Sequence, residues 1–218
     1  MEKPVLKKEN THLLYDNRFV KLFDMQYKED RHYMNASRRA IDDIAALKTD
    51  DEFKSMLPDA VSCFVVIKIK GKEPRLLLNY EFRYPAGQFL LSVPAGLIDP
   101  GDRDCKEPLI RTAVREIQEE TGIKVKSTDT VKVVNPLAFS SPGMTDESNA
   151  LVCAVIELDD TEIINQDGAV GSELFDGYIL IDKEQAASLL STGRDENGNY
   201  YSIYTWAGLM YFLSELWK

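Results

Sequence analysis

Residues 92–123 read SVPAGLIDPGDRDCKEPLIRTAVREIQEETGI, which we interpret as the end of a strand, a Pro-Ala-Gly turn, a loop and a helix. The helical pattern runs from Asp104 to Thr121, and Gly122 is a typical residue to end a helix. One side of this helix is apolar, which predicts that it packs on a core. The apolar positions are Ile110, Ala113, Val114 and Ile117.

The other side of the predicted helix is acidic. Each helical residue advances by about 100°, so Glu116, Glu119 and Glu120 lie on one face. Like charges at this spacing repel by roughly a few tenths of a kcal/mol per pair. A solvated acidic face would also explain three glutamates in isolation, but carboxylate oxygens are the ligands that Mg²⁺ prefers. Arg115 lies four residues before Glu119 and can orient its carboxylate.

These residues resemble the signature of the Nudix family, G-x5-E-x7-R-E-U-x-E-E-x-G-U, in which U is aliphatic. The matching positions are Gly96, Glu107, Arg115, Glu116, Ile117, Glu119, Glu120, Gly122 and Ile123. The resemblance implies an α/β fold with a mixed sheet, arranged as an α/β/α sandwich. It also implies a hydrolase that depends on Mg²⁺, with Mn²⁺ as the alternative ion.

The chain departs from this signature at one point. Ten residues separate Gly96 from Glu107, where the family has five. Alternatively, Asp102 fills the first acidic position and the additional residues follow it. Extra loop length costs little free energy, so either arrangement leaves the three glutamates of the helix in place.

The resemblance implies roles for residues in and around the helix. Glu116 and Glu120 are expected to bind the metal first, together with Glu119. A backbone carbonyl of the Pro-Ala-Gly turn, from Ala95 or Gly96, can face the same ion.

The general base is expected outside the helix, because the helix carboxylates are committed to the metal. In related enzymes it is a glutamate on a mobile loop before the last strands. Residues 168–173 form such a loop here, and Glu173 is the predicted base. Glu162 and Glu147 are the alternatives.

A second motif indicates the substrate class. Residues 140–147, SSPGMTDE, resemble the SPGxTxE loop of ADP-ribose pyrophosphatases. Pro-Gly favours a tight turn, and the loop offers polar groups to a ribose or a phosphate. The predicted substrate-binding residues of this loop are Ser141, Gly143, Thr145 and Glu147.

Upstream of the helix, residues 81–85 resemble the family segment in which an arginine and an aromatic residue face the substrate. Arg83 is expected to bind a phosphate and Phe82 to stack on adenine. The expected reaction converts ADP-ribose to AMP and ribose 5-phosphate. The alternatives are another nucleotide sugar, such as UDP-glucose, and a Nudix-fold regulator that binds ADP-ribose without hydrolysis.

Two domains are predicted. Residues 1–58 read as a small β-rich element with a helix between Ile41 and Leu57, and residues 59–218 as the Nudix domain. The first element resembles the N-terminal domain that forms a homodimer in the family. The other predicted strands are 60–69, 75–80, 89–93, 131–134, 150–158 and 178–181, and two further helices are expected at 182–190 and around 206–217.

The composition of the chain limits which binding partners and which cellular location we expect. The formal net charge of −10 disfavours nucleic acid, since such a surface repels a phosphate backbone. No run is apolar and long enough for a membrane span, and residues 1–10 show no apolar signal segment. Three cysteines without a CxxC pair argue against a disulfide framework. The cytoplasm is the predicted location.

Overall fold

The computed structural model describes residues 3–218, which divide into two compact units. The first unit contains the chain up to Asp59 together with Leu137–Asn149. The second unit contains Ala60–Pro136 and Ala150–Lys218. Within residues 3–218, no helix combines the length and the apolar character that a bilayer crossing requires.

The first unit is built on a three-stranded antiparallel sheet. Its strands are β1 (Thr11–Asp16), β2 (Lys21–Lys28) and β3 (Arg31–Ser37), in the order β1-β2-β3. Phe23 and Met25 alternate along β2, so both side chains reach the same face and are buried there with Ile44.

The prediction of one helix between Ile41 and Leu57 was wrong. The structure has a turn, a short 3₁₀ segment at Ala45–Leu47 and a separate helix α1 at Asp50–Lys54. The side chain of Thr49 accepts a hydrogen bond from the Glu52 N–H, and Glu52 accepts one from the Thr49 N–H. This capping box starts a new helix in the middle of the predicted one.

The second unit is built on a seven-stranded sheet. Its strands are β4 (Ala60–Ile69), β5 (Arg75–Arg83), β6 (Gln88–Ser92), β7 (Ala95–Leu97), β8 (Thr130–Phe139), β9 (Ser148–Leu158) and β10 (Phe175–Ile181). The order is β10-β5-β4-β9-β8, with β6 paired to β5 and β7 paired to β4.

Helices cover both faces of this sheet, and the pattern of β4 shows why. Its side chains alternate, so Val61, Cys63 and Val65 join one apolar cluster while Phe64 and Val66 join another. The first cluster includes residues of α3 (Pro108–Thr121), and the second includes residues of α4 (Lys183–Thr192) and α5 (Ile203–Ser214). The predicted α/β/α sandwich with a mixed sheet is confirmed.

The acidic helix begins later than its sequence pattern predicted. A short helix α2 (Pro100–Arg103) precedes it, and α3 starts at Pro108 instead of Asp104. The N–H of a first helical residue has no partner within the helix, so proline, which lacks this N–H, suits the position. The Gly122 backbone adopts a left-handed conformation with a φ of 69° and ends the helix as predicted.

Candidate active site

Helix α3 carries two buried carboxylates to the sheet. Glu116 is 4% exposed and Glu120 is 2% exposed. Glu120 Oε2 accepts a hydrogen bond of 2.8 Å from Asn79 Nδ2, and its Oε1 accepts one of 3.2 Å from the Ala95 N–H. The carboxylate of Glu120 is therefore fixed between β5 and β7.

Glu116 packs against the backbone of Gly96. A Cβ atom added at Gly96 would lie 2.0 Å from the carboxylate carbon of Glu116. No real contact is that short, so only glycine allows the carboxylate to occupy this place. The glycine of the sequence motif is therefore explained by a close approach rather than by a turn.

We expect Gly96→Ala to lower hydrolytic activity by up to about a hundredfold, because it displaces the Glu116 carboxylate by about an ångström or more. The comparison is Gly101→Ala in α2, where an added Cβ meets nothing within 4 Å. Initial rates and circular dichroism of both variants measure the effect. Equal activity of the two variants would contradict the structural role of Gly96.

Arg115 connects the acidic residues. Its Nη1 lies 2.7 Å from Glu116 Oε1 and 2.9 Å from Glu119 Oε2. Its Nε donates to Asp102 Oδ2 at 3.1 Å, and its Nη2 donates to the Leu97 carbonyl at 2.9 Å. One guanidinium therefore sets the direction of two glutamates of α3.

The structure distinguishes the two candidates for the first acidic position of the motif. Asp102 is buried and contacts Arg115, and it also lies 2.8 Å from Arg111 Nε. Glu107 is exposed at the start of α3, and its side chain caps no backbone N–H. These contacts favour Asp102 over Glu107 for the first acidic position, with the additional residues of this chain following it.

Sequence reasoning missed two residues of the site, Asn79 and Glu81. Both are buried, and they lie two residues apart on β5 and so on the same face of the strand. Glu81 Oε2 lies 2.7 Å from Arg83 Nη2. Two polar residues at alternate positions in a buried strand were the signal that could have identified them.

The site has an excess of negative charge. Burial raises the pKa of Glu116 to about 7; Arg115 opposes this increase, and the charges of Glu119 and Glu173 add to it. Burial also raises the pKa of Glu120 well above its usual range, with further contributions from Glu81, Glu116 and Glu173. Five carboxylates are thus close enough to repel one another.

Glu173 lies on a loop that contacts the end of α3. The Asn165 N–H donates to the Thr121 carbonyl at 3.0 Å, and a Cβ atom at Gly168 would lie 2.4 Å from the Glu119 carbonyl. The charge of Glu173 contributes to the raised pKa of Glu116 and of Glu120. Its Oε2 accepts a hydrogen bond of 2.8 Å from the Val170 N–H of the same loop.

The two alternative candidates for the general base, Glu162 and Glu147, lie in different surroundings from Glu173. Glu162 is exposed, and its N–H donates to Asp160. Glu147 belongs to the first unit, where its Oε1 lies 2.9 Å from Arg38 Nε. Of the three candidates, Glu173 is the one whose charge acts on the carboxylates of α3.

The predicted substrate residues on β5 point in different directions. Arg83 is exposed and pairs with Glu81. The Phe82 ring contacts the rings of Tyr84 and Phe89, with centroid distances of 5.1 and 5.3 Å. Arg83 therefore shares a strand face with the carboxylates, and Phe82 belongs to an aromatic group.

The Ser-Pro-Gly loop belongs to the first unit. The predicted substrate residues in it are Ser141, Gly143, Thr145 and Glu147. The Thr145 N–H donates to the Ser141 carbonyl at 3.1 Å, which closes the turn, and the Tyr33 hydroxyl donates to the Gly143 carbonyl at 2.8 Å. These contacts attach the loop to β3.

The residues of the site fit a divalent cation in their chemistry. In the arrangement described for residues 3–218, no three acidic, histidine or cysteine side chains converge as a finished metal site. Arg115 and Asn79 instead engage the carboxylates of α3. The excess of carboxylates over cations in the site suits a hard dication with oxygen ligands.

Comparisons with known proteins agree with this description. The profile of the NUDIX domain matches residues 56–201. An ADP-ribose pyrophosphatase of Saccharomyces cerevisiae is 33% identical over 101 residues, which cover 46% of this chain and 40% of that protein. An ADP-sugar pyrophosphatase of Mus musculus is 32% identical over 107 residues, which cover 49% of this chain and 45% of that protein.

An ADP-ribose pyrophosphatase of Bacillus subtilis is 34% identical over 91 residues, which cover 41% of this chain and 42% of that protein. The matched segment thus spans less than half the length of each of these relatives. A crystal structure described as an ADP compounds hydrolase superposes with a TM-score of 0.55 and 16% identity, covering 100% of this chain and 95% of that one. At this identity the superposition supports the fold alone.

Proposed function

The chain belongs to the Nudix family of hydrolases, and we propose that it hydrolyses the pyrophosphate bond of an ADP-sugar. The observation that carries the proposal is the group of buried carboxylates on α3, held by Arg115 and fixed against Gly96. Relatives named for ADP-ribose and ADP-sugar support the substrate class. ADP-ribose is the first substrate, with AMP and ribose 5-phosphate as products.

We propose Mg²⁺ as the cofactor, with Mn²⁺ as the alternative. Glu116 and Glu120 would hold it, with Glu119 and the carbonyl of Ala95 as further ligands. A bound divalent ion neutralises phosphate oxygens and lowers the pKa of a bound water. Arg115, which contacts Glu116 at 2.7 Å, also contacts Asp102 and the Leu97 carbonyl, and these contacts would hold it in place if Glu116 bound the ion.

The side chains around this site divide the remaining work. Glu173 would take a proton from the attacking water while the water oxygen forms a bond to one phosphorus. The bond between that phosphorus and the bridging oxygen breaks, and the other phosphate leaves with the bridging oxygen. Arg83 binds a phosphate of the substrate in place of its present partner Glu81, through two parallel N–H donors.

We also propose that the first unit forms a homodimer. Its strands β1 and β2 and the turn between them expose several large apolar side chains, namely Leu13, Leu14, Tyr15, Phe19 and Tyr27. Exposed apolar groups of this size on one small sheet favour association with a second copy. Light scattering on the purified chain measures the mass, and a monomer at micromolar concentration would contradict the proposal. The cytoplasmic location stays a prediction.

We expect the affinity for Mg²⁺ to fall as the pH is lowered. Burial raises the pKa of Glu116 to about 7, so a proton competes with the metal below that pH. The dissociation constant should rise at least about tenfold per unit of pH below about 7, because Glu120, whose pKa is also raised, takes up a proton as well. Titration calorimetry between about pH 5.5 and about pH 8.5 measures this, and an affinity that stays constant across the range would contradict it.

A substrate panel tests the proposed reaction. The full chain is incubated with ADP-ribose, ADP-glucose and UDP-glucose at equal concentration, with Mg²⁺ or with a chelator. We expect AMP and ribose 5-phosphate from ADP-ribose, only with Mg²⁺. Faster turnover of UDP-glucose would replace the substrate assignment. Binding of ADP-ribose without any product would indicate a regulator instead of an enzyme.

A further inference from the structure

Two side-chain amides connect the buried carboxylate of Glu120 to the loop that carries Glu173. Asn79 Nδ2 donates to Glu120 Oε2 at 2.8 Å, and Gln166 Nε2 donates to Asn79 Oδ1 at 3.2 Å. Asn79 lies on β5, and Gln166 follows it by 87 residues, on the loop between β9 and β10. Both residues belong to the second unit, as do the two glutamates that they connect.

The charge of Glu120 sets the direction of these hydrogen bonds. An ionised carboxylate only accepts hydrogen bonds, so Asn79 turns its Nδ2 toward Glu120. Its Oδ1 then faces Gln166, which has to offer a donor. Asn79 is 1% exposed, so water can hardly replace this donor. Buried polar atoms are nearly always paired, and the Gln166 amide is therefore needed to complete the hydrogen bonds of Asn79.

The main chain of the loop is attached to α3 on both sides of Gln166. Before it, the Asn165 N–H donates to the Thr121 carbonyl at 3.0 Å. After it, Gly168 approaches the backbone of Glu119 so closely that an added Cβ atom would lie 2.4 Å from the Glu119 carbonyl oxygen. The side chain of Gln166 adds a third attachment, which leads to β5 instead of α3.

Glu173 lies on a turn that follows this attached segment. Its N–H donates to the Val170 carbonyl at 3.2 Å, and its Oε2 accepts from the Val170 N–H at 2.8 Å. Beyond the turn, the Phe82 N–H donates to the Leu174 carbonyl at 2.8 Å. Residues 169–172 are exposed, and an exposed segment has few contacts to hold it. The position of the turn is therefore set by how its two ends are attached.

We propose that Asn79 and Gln166 are positioning residues for the general base, because they tie the loop of Glu173 to the carboxylate of Glu120. This inference rests on the proposed function, in which Glu120 binds the metal and Glu173 takes the proton. Loss of the Gln166 amide leaves Asn79 Oδ1 buried without a donor and removes one attachment of the loop. The base is then displaced, whereas the residues that bind the metal and the phosphate keep their places.

Gln166→Met tests this proposal by kinetics, since it keeps the approximate length of the side chain and removes the amide. We expect kcat for ADP-ribose to fall by about tenfold or more, because a displacement of about an ångström is costly. The KM and the dissociation constant of Mg²⁺ should stay within about twofold. A kcat within about twofold of the unchanged chain, or a loss confined to KM or to Mg²⁺ affinity, would overturn the proposal.

Gln118→Met is the matched control. It makes the same change in an exposed glutamine of α3, the helix that carries Glu120. We expect kcat, KM and the affinity for Mg²⁺ to stay within about twofold of those of the unchanged chain. An equal fall of kcat in both variants would mean that the effect does not come from the contact with Asn79.

Hydrogen exchange of the metal-free chain gives a second readout that needs no activity. Peptides within residues 164–174 should exchange about tenfold faster in Gln166→Met than in the unchanged chain or in Gln118→Met. Asn79→Ala should speed the same peptides to a similar extent, and the two changes together should add at most about twofold. Unchanged exchange in Gln166→Met, or fully additive effects, would overturn the proposal.

The two readouts separate this inference from the proposed function. If the unchanged chain hydrolysed no substrate of the panel, the proposed function would fail, and with it the role of the loop in catalysis. The exchange rates would then still decide whether the two amides hold the loop. If Asn79→Ala failed to fold, the comparison of Gln166→Met with Gln118→Met would decide alone.

Discussion

Glu120→Gln should reduce the hydrolysis of ADP-ribose by on the order of a thousandfold, which corresponds to about 4 kcal/mol of transition-state stabilisation. The change removes one negative charge from the most deeply buried carboxylate of α3. A neutral amide is a poor ligand for Mg²⁺, and the proposed reaction needs the ion to neutralise the phosphate oxygens. The rate should stay low at saturating Mg²⁺ as well, because the variant lacks the negative charge of Glu120 in addition to having a lower affinity for the ion.

The same variant should fold and should be more stable than the unchanged chain without metal. The oxygen of the new amide still accepts from the Ala95 N–H. Its nitrogen faces Asn79 Nδ2, so two donors would meet there. If the Asn79 amide turns over, its Oδ1 accepts from the new amide and its Nδ2 faces Gln166. The Gln166 amide, which at present donates to Asn79 Oδ1, can turn over as well and accept from Asn79 Nδ2. The variant is therefore expected to keep its hydrogen bonds.

The sign of the stability change follows from the raised pKa of Glu120. The carboxyl is buried, so its charged form is disfavoured in the folded chain. Its contribution to stability is fully present below the unfolded pKa of 4.5 and is lost as the pH rises through the folded value. Glutamine carries no charge at any pH, so its contribution to stability does not change in this way. Without metal, Glu120→Gln should melt at a higher temperature than the unchanged chain at about pH 8, and the gap should close near pH 4.

Glu107→Gln is the control for this variant. It makes the same chemical change in an exposed residue at the start of the same helix. Release of AMP at saturating Mg²⁺ and thermal melting should both stay close to those of the unchanged chain. If Glu120→Gln hydrolysed ADP-ribose within about tenfold of the unchanged rate, the metal assignment would be wrong.

The elements that the sequence predicted well are those with a strong local signal. Helix α3 and the strand β4 each combine a clear period with a defined end, and their packing follows from that period. The spacing of Glu116, Glu119 and Glu120 was informative for the same reason. Residues within one helix keep their relative positions whatever the rest of the chain does.

Predictions that depended on loops or on weak periods were less successful. A count of residues could not decide between Asp102 and Glu107, because the path of the loop is set by α2 and by the contact of Asp102 with Arg115. The predicted helix between Ile41 and Leu57 rested on four apolar positions, and the capping box at Thr49 was the stronger signal.

Features that join distant parts of the chain were not visible in the sequence. Asn79 bonds Glu120, 41 residues away, and Asp146 bonds the Ala45 N–H across 101 residues. Each pair meets only because the sheets bring their strands and loops together. The sequence showed no period or motif that linked them, so these polar contacts could be found only in the structure.

Arg115→Met is the second variant with a large expected effect, and it acts on stability. Removing the guanidinium leaves the buried carboxylates of Asp102 and Glu116 without their shared partner. Breaking a buried ion pair on one side costs about 3–5 kcal/mol. For a chain of this length, a loss of about 3 kcal/mol lowers the melting temperature by about 6–12 °C. Added Mg²⁺ should recover part of this loss, because the ion neutralises Glu116 in place of Arg115.

Arg111→Met separates this effect from the loss of any arginine on α3. Arg111 also pairs with Asp102, but its side chain is 60% exposed, whereas that of Arg115 is 26% exposed. An exposed ion pair contributes about 0–1 kcal/mol, so Arg111→Met should lower the melting temperature by at most about 4 °C. Equal losses in the two variants would mean that Asp102 alone needs a cation and that Arg115 does not organise the glutamates. The melting temperature should instead fall strongly in Arg115→Met alone, and added Mg²⁺ should recover part of that fall. This result would show that the guanidinium of Arg115 holds the carboxylates in place before the metal binds.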